Sequence, residues 1–194
     1  MSEAVTRGDV PPLPTFATRS DLRARIGWIC HGLRIAAVVW IGWVLVMELV
    51  YWSNKAAILK AYGQWMSLDL GDVSNVRYAT TFALVLVAWA AGLAVVVCIW
   101  RLVDTYLAGR VFTVDAAVWL RRIGIAGIVA VVIDVAVRFL VAVILTGQLV
   151  PVPSRGLFVL PQDLLHLIFA VFVLAFAHIF KAAAEMAEDH AQIV

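Results

Sequence analysis

Two residues of opposite charge, Asp134 and Arg138, lie four positions apart inside an otherwise apolar stretch over residues 123–145. The four-residue spacing places both side chains on one face of a helix, within reach of each other. A charge in the middle of a membrane is costly and therefore usually has a partner or a function. This pair is the strongest chemical feature of the sequence, and it predicts a polar site inside a membrane protein.

Three further ionisable residues, Glu48, Asp163 and His166, fall at a related depth when the apolar stretches are laid across a membrane as helices. With Asp134 and Arg138 they form a predicted intramembrane polar cluster. We expect Arg138 to neutralise Asp134, with Glu48 or Asp163 as a second carboxylate. One interpretation is a proton or ion relay, or a small-ligand pocket open to the outside. The interpretation we favour is an ion-paired clasp that holds three helices in register.

The elements that position these residues follow from composition. The chain has 194 residues, of which 64% are hydrophobic and 14% charged, and its mean hydropathy is +0.97. A soluble domain carries about 25% charged residues, so that class is excluded. A helix needs roughly 20 mostly apolar residues to cross a bilayer, whereas membrane β-strands show short alternating segments. Four stretches come close to that length or exceed it: 35–52, 80–100, 123–145 and 160–180.

We therefore predict an all-α integral membrane protein, a four-helix bundle. Residues 1–20 are expected to be a disordered cytoplasmic tail, 21–181 the domain of four transmembrane helices, and 182–194 a cytoplasmic C-terminal tail. No cleavable signal peptide is expected, because the first apolar run is too long and lacks a small-residue cleavage site.

The basic residues predict the orientation. The positive-inside rule places arginine-rich and lysine-rich connections in the cytoplasm. Four basic residues, Lys55, Lys60, Arg77 and Arg155, occupy the two connections assigned to the outside. Both termini are thus predicted to be cytoplasmic, in a multi-pass protein of a bacterial inner membrane. The connections assigned to the cytoplasm hold the larger set: Arg7, Arg19, Arg23, Arg25, Arg34, Arg101, Arg110, Arg121, Arg122 and Lys181.

The connection between the second and third spans has helix-ending residues at both sides. Residues 102–108 can continue the second helix, and Gly109 is a suitable helix stop. Thr113 is a suitable N-cap, with Asp115 favoured in the first turn by the helix dipole. The two spans are therefore predicted to form a long hairpin that projects into the cytoplasm.

The cytoplasmic end of this hairpin is a predicted docking surface for a soluble protein. The alternative is that its arginines only set the orientation and contact anionic lipid headgroups. Direct nucleic-acid binding is not expected, because the net charge is only +2 and no recognition helix is evident. The predicted docking residues are Gly109, Arg110, Phe112, Thr113, Arg121 and Arg122.

The hairpin sequence resembles a known bacterial membrane family. The resemblance is carried by residues 106–113, YLAGRVFT, by the following Ala116, 120–124 (LRRIG), and by 163–165 (DLL), 179–181 (IFK) and 187–189 (AED). It covers the second half of the chain, and the first half only by its helix count. These residues resemble the domain of unknown function 2975 family, except that Asp115 stands where asparagine is more usual. The resemblance implies a four-helix integral membrane protein of unsettled biochemistry, often encoded beside a small helix-turn-helix regulator.

Cofactor and catalytic chemistry find little support. His31 and His178 fall at a similar cytoplasmic depth and are weak candidates for a shared haem or metal. No cysteine–histidine spacing predicts zinc, and neither an activated nucleophile nor a glycine-rich phosphate loop is present. We therefore predict no cofactor, no metal and no enzymatic activity.

Two functions from different classes remain. The favoured prediction is a non-enzymatic regulatory or sensory protein that docks a cytoplasmic partner, such as a small helix-turn-helix regulator. The alternative is a small transporter or proton-linked permease that uses the intramembrane Asp/Arg/His cluster. Small residues such as Ala88, Gly92, Gly124 and Gly127 permit close helix packing within one chain or between copies, so a homo-oligomer is left open.

Overall fold

A computed structural model describes the backbone of residues 19–110, 113–148 and 158–192, and the side chains of those between 27 and 186. These residues contain no strand, so the predicted all-α class is confirmed. A 12-residue helix that was not predicted lies in the connection after the first span. The helices are α1 (Arg19–Trp52), α2 (Lys55–Met66), α3 (Asn75–Leu107), α4 (Val114–Thr146) and α5 (Pro161–Gln192).

Four of these helices are long and apolar enough to cross a membrane: Gly27–Trp52, Asn75–Leu107, Val114–Thr146 and Pro161–Met186. The chain is therefore a multi-pass membrane protein that contacts the lipid bilayer. Each predicted span lies inside one of these segments, apart from residue 160, which precedes α5. The helix α5 also runs through 182–192, which were predicted to be part of a C-terminal tail. Most of the predicted N-terminal tail lies outside the described residues.

The ends of the α3–α4 hairpin are set by local hydrogen bonds, as predicted. Gly109 adopts a positive φ of 79°, and its N–H donates to the carbonyl of Tyr106 at 2.9 Å. The Thr113 hydroxyl accepts from the N–H of Ala116 at 3.4 Å, which caps α4. A left-handed glycine after the last turn and a threonine before the first one are the usual devices for these two ends.

The long helices pack in sequence order, α1 on α3, α3 on α4, and α4 on α5. Neither α1 and α5 nor α1 and α4 form an extensive contact in the described part of the chain. The α4–α5 contact is close because Gly124 has no side chain: a Cβ there would lie 3.1 Å from the Ala170 carbonyl oxygen. Every seventh residue of α5 is buried, which is the spacing of helices that pack nearly parallel. The buried residues are Asp163, Ala170, Ala177 and Ala184.

The short helix α2 covers the end of the helix row opposite the α3–α4 connection. The Asn54 side chain caps it by accepting from the N–H of Ala57 at 3.1 Å. Ile58 is fully buried and joins a cluster with Trp52, Val73 and Val141. This packing holds α2 in place, because a 12-residue helix is marginal by itself in water.

Candidate functional site

A three-residue ion cluster lies where α4 meets the start of α5. One nitrogen of Arg138, Nη2, donates to Asp134 Oδ2 at 2.7 Å and to Asp163 Oδ1 at 2.6 Å. The Asp134 contact stays within α4, whereas the Asp163 contact joins α4 to α5. The Asp163 side chain is only 5% exposed, and that of Asp134 is 51% exposed. Arg138 and Asp163 therefore form the buried part of the cluster.

Asp163 has a second contact that fixes the start of α5. Its Oδ2 accepts from the backbone N–H of Leu160 at 2.6 Å. A carboxylate at the third helical position that accepts from the capping N–H forms one half of a capping box, and the helix dipole favours its charge. Pro161 suits the first helical position because its missing N–H would have had no partner there. Asp163 thus links the local start of α5 to its packing against α4.

Glu48 lies apart from this ion cluster. It is half-buried on α1, and it interacts with the Trp52 side chain by a hydrogen bond and with the like charge of Asp134. No arginine, lysine or histidine in the described part of the chain forms an ion pair with it. Of the two carboxylates considered as the second partner of Arg138, the structure therefore selects Asp163 and leaves Glu48 facing a cavity.

The cavity beside Glu48 has a volume of about 380 Å³ and lies between α1 and α4, with residues of α3 forming its floor. Asp134 and Arg138 line it together with Glu48. An adjoining cavity of about 280 Å³ shares Arg138, Tyr51 and Tyr62 with it. We call the two together the groove. It exists because α1 packs on α3 without also packing closely on α4.

His166 is not brought into the groove. It is exposed on α5, and its only described interaction with the cluster is electrostatic, with Asp163 one turn away. It does not line either cavity of the groove. Of the five residues predicted to meet, the structure joins Asp134, Arg138 and Asp163 directly and places Glu48 across the groove.

Arg138 keeps two donors without a partner. Its Nε and Nη1 are buried and make no hydrogen bond in the described residues. A guanidinium has five N–H donors, and a buried donor left unpaired is costly. Since Arg138 lines both cavities, an oxygen acceptor that enters the groove is the natural partner for these two nitrogens.

Aromatic residues form the smaller cavity of the groove, and they were not predicted as site residues. The ring of Tyr62 on α2 lies 6.4 Å from that of Trp52 and 6.2 Å from that of Trp65. The Trp65 ring meets that of Phe158 edge-on at 5.5 Å. Burial raises the pKa of Tyr62 to about 12, so its phenol is neutral at physiological pH. The three-residue spacing of Tyr62 and Trp65 is the sequence feature that could have shown a shared helix face.

The end of the α3–α4 hairpin presents several charged side chains. Arg110 forms an ion pair with Asp115 at 3.0 Å. The Arg122 guanidinium lies 4.4 Å from the centre of the Trp119 ring. Gly109 and Arg121 are exposed, and Thr113 is half-buried. Phe112, which was also predicted to take part in docking, lies outside the described residues.

An ion pair between Arg34 and Asp104 also ties α1 to α3 near this end. The Arg34 guanidinium lies 4.7 Å from the centre of the Trp100 ring, so the residue is held by a carboxylate and an aromatic face together. The pair was not predicted, because Arg34 and Asp104 are 70 residues apart in the chain.

The two histidines considered for a cofactor do not converge. His31 is exposed on α1, and His178 is exposed on α5, at the other end of the helix row. The His178 Nδ1 lies 2.8 Å from the Leu174 carbonyl oxygen of its own helix. Within the described ranges, no group of three or more histidine, cysteine, aspartate or glutamate side chains is placed to hold a metal ion.

Comparison with known proteins gives a family without an assigned activity. The family model described as protein of unknown function (DUF2975) matches residues 62–194, which begin within α2. The match covers more than half of the chain. No curated protein and no solved structure matches this sequence.

Proposed function

We propose that this chain, which belongs to the protein of unknown function (DUF2975) family, is a non-enzymatic regulatory or sensory membrane protein that docks a cytoplasmic protein. The observation that carries the proposal is the length of the α3–α4 hairpin. Each of its helices has 33 residues. At 1.5 Å per residue this is about 50 Å, against about 30 Å of hydrocarbon core. Part of the hairpin therefore extends beyond the membrane.

The tryptophans support a cytoplasmic extension. Trp100 and Trp119 lie near the hairpin end, and tryptophan prefers the interface between lipid and water. Residues 101–107 then continue α3 by about 10 Å beyond that level. With the orientation predicted from the basic residues, this segment and the start of α4 stand in the cytoplasm.

The charge of this end favours an acidic partner. Arg101 and Arg121 are exposed and form no ion pair with the described residues, whereas Arg110 and Arg34 are paired. Exposed charges steer encounters and fix the register of an interface more than they add affinity. We infer that the partner presents carboxylates to these two arginines.

The hairpin end is also a preformed surface. Leu102, Val103 and Thr105 are buried on α3, and Ala116 and Ala117 are buried on α4. A surface held by such packing loses little conformational freedom when a partner binds, which favours affinity. A small helix-turn-helix regulator is the partner that the family resemblance suggests, and a bacterial inner membrane is the corresponding location.

Site-specific photocrosslinking in native membranes tests the proposal. A photoreactive residue replaces Arg121, and the matched control replaces Lys60, which is exposed on α2 at the other end of the molecule. We expect one soluble protein to crosslink at position 121 and not at position 60. For charge reversal the photoreactive residue is placed at position 110, because position 121 is itself changed. The double change Arg121→Glu with Arg101→Glu should then lower the yield of crosslinked partner by about tenfold or more, since like charges across an interface are repulsive. The double change Lys60→Glu with Arg77→Glu should not.

Two results would contradict docking at this end. One is a partner recovered equally from positions 60 and 121. The other is a partner whose recovery survives charge reversal at Arg101 and Arg121.

A second candidate function, transport, is favoured by the groove. Glu48 faces the cavity without an ion-pair partner in the described residues, beside the half-exposed Asp134. Ionisable groups that face a cavity inside a membrane protein commonly mark ion or substrate pathways. Flux into liposomes that contain the purified protein tests this function: a transporter loses flux with Glu48→Gln and keeps it with Arg121→Glu, whereas a docking protein shows no flux at all.

A further inference from the structure

We propose that the groove binds an amphiphilic organic cation, whose onium group lies between Glu48 and Asp134 and whose apolar body lies against Tyr51, Tyr62 and Trp65. This inference goes beyond the docking function and does not depend on it, because the groove and the hairpin end are separate surfaces. It also names a ligand class for the second candidate function, although binding without transport is sufficient.

The charge of the groove selects a cation. Two carboxylates, those of Glu48 and Asp134, line the groove together with the guanidinium of Arg138. A third, that of Asp163, is bonded to the same guanidinium. When all four groups are ionised, the local charge is negative. Charges attract strongly where water is scarce, so a ligand with one positive charge is favoured and an anion is repelled.

The two free donors of Arg138 do not reverse this selection. Its Nε and Nη1 need oxygen acceptors, but a ligand anion would add a negative charge beside three carboxylates. A neutral acceptor, such as a water molecule or a hydroxyl or ether oxygen of the ligand, satisfies the donors without that repulsion.

The aromatic side chains supply the second part of the recognition. Tyr51, Tyr62 and Trp65 line the smaller cavity. Trp52 and Trp89 line the larger one, which also contains Glu48. The faces of such rings attract cations, and quaternary ammonium groups are commonly held in aromatic cages. The Tyr62 phenol is neutral at physiological pH, so this residue contributes an aromatic face and no further negative charge.

The dimensions of the groove leave room for an organic cation. The adjoining cavities of about 380 and 280 Å³ are of the size that holds small organic ligands, roughly 300–1,000 Å³. The described residues also lack a cluster suited to a metal ion. Access is from the side, since α1 contacts α3 but not extensively α4, and Trp40 at the groove is exposed. An amphiphilic cation can enter from the bilayer along this path.

The test uses two probes with the same shape and opposite charges. Purified full-length protein in a maltoside detergent is titrated with tetraphenylphosphonium and, separately, with tetraphenylborate, and binding is followed by isothermal titration calorimetry. We expect saturable binding of the phosphonium and none of the borate. Equal binding of both ions would overturn the proposal, because it would show partition into the apolar surface.

Variants separate the site from the surrounding detergent. Glu48→Gln removes one charge with little change of shape and should weaken phosphonium binding by about tenfold or more, given the strength of a desolvated ionic contact. Glu185→Gln, on the exposed cytoplasmic part of α5, is the matched control and should have no effect. Tyr62→Phe should keep the affinity and Tyr62→Leu should lower it, because only the first keeps an aromatic face. Unchanged affinity in both Glu48→Gln and Tyr62→Leu would overturn the proposal.

Phosphonium binding in lipid nanodiscs shows whether the natural onium group belongs to a lipid headgroup or to a free cation. A choline headgroup and a free organic cation share this chemistry. If phosphatidylcholine lowers the apparent phosphonium affinity relative to phosphatidylglycerol, the headgroup is the occupant; if it does not, a free cation is. Crosslinking at position 121 should be the same in Glu48→Gln as in the unmodified protein, so a failure of this proposal and a failure of docking are distinguishable.

Discussion

Arg138 of α4 and Asp163 of α5 are joined by a hydrogen bond of 2.6 Å between Nη2 and Oδ1. The other carboxylate oxygen of Asp163 accepts a hydrogen bond from the N–H of Leu160. One side chain therefore caps the N-terminus of α5 and also attaches this helix to α4. Asp134, on the same helix as Arg138, is the more exposed partner. The attachment of α5 therefore depends more on Asp163 than on Asp134.

Removal of Arg138 should be more harmful than removal of the whole pair. Arg138→Leu leaves the carboxylate of Asp163 buried without a counter-ion, and breaking a buried pair in this way costs about 3–5 kcal/mol of unfolding free energy. Arg138→Gln with Asp163→Asn removes both charges and should cost less. Thermal unfolding and the monodisperse fraction in detergent measure the difference.

Asp134→Asn is the control for this comparison. Its side chain is more exposed than that of Asp163, and Arg138 keeps Asp163 as a partner, so the loss of stability should be smaller than in Arg138→Leu. An equal loss of stability in Arg138→Leu and in the double variant would contradict a stranded charge at Asp163.

Gly124→Ala should destabilise the α4–α5 contact. The added Cβ would lie 3.0 Å from the Leu174 Cβ and 3.1 Å from two backbone atoms of α5, so the helices must separate. Overpacking of this kind costs about 1–3 kcal/mol. Gly92→Ala is the matched control, because its Cβ would meet only Ile41 Cδ1 at an ordinary 3.6 Å. A similar decrease of the melting temperature in both variants would contradict this account of the contact.

Tyr62 should ionise late in an alkaline titration. Burial raises its pKa from the ordinary tyrosine value of 10.0 to about 12. The folded state therefore holds this proton where the unfolded state has released it, and the corresponding stability is lost as the pH rises from about 10 to about 12. Ultraviolet absorbance of tyrosinate should show a component near the upper value that is missing in Tyr62→Phe. An unchanged titration curve in that variant would disprove the assignment.

The predicted orientation can be tested by labelling single cysteines. In a background with Cys30→Ala and Cys98→Ala, an impermeant maleimide should label Lys60→Cys on intact cells, because α2 is predicted to face outward. Ala108→Cys, at the hairpin end, should be labelled only after permeabilisation. The reverse pattern would place the hairpin outside and exclude a cytoplasmic partner there.

The local features of this chain were predictable from sequence. The helix stop at Gly109 and the cap at Thr113 depend on residues within one turn, so their types were enough to locate them. The Asp134–Arg138 contact is local for the same reason, since a four-residue spacing brings two side chains together on any helix.

The helix α2 was not predicted because its stability is not local. Its 12 residues mix apolar and polar side chains, as many loops do, and what holds the helix is the burial of Ile58 against Trp52 and Val141. The aromatic part of the groove was missed with it, since Tyr62 approaches Trp52 only when α2 folds back over α1.

The sequence by itself determined the membrane class, the number of spans and the ends of the hairpin, because hydropathy and capping act over a turn or over one membrane thickness. The tertiary structure alone decided that Asp163 is the partner of Arg138, that His166 stays outside, and that Glu48 faces a groove. These outcomes depend on which helices touch. The glycines and alanines between α4 and α5 bring Asp163 close to Arg138, whereas α3 separates α1 from α4 and keeps Glu48 at a distance.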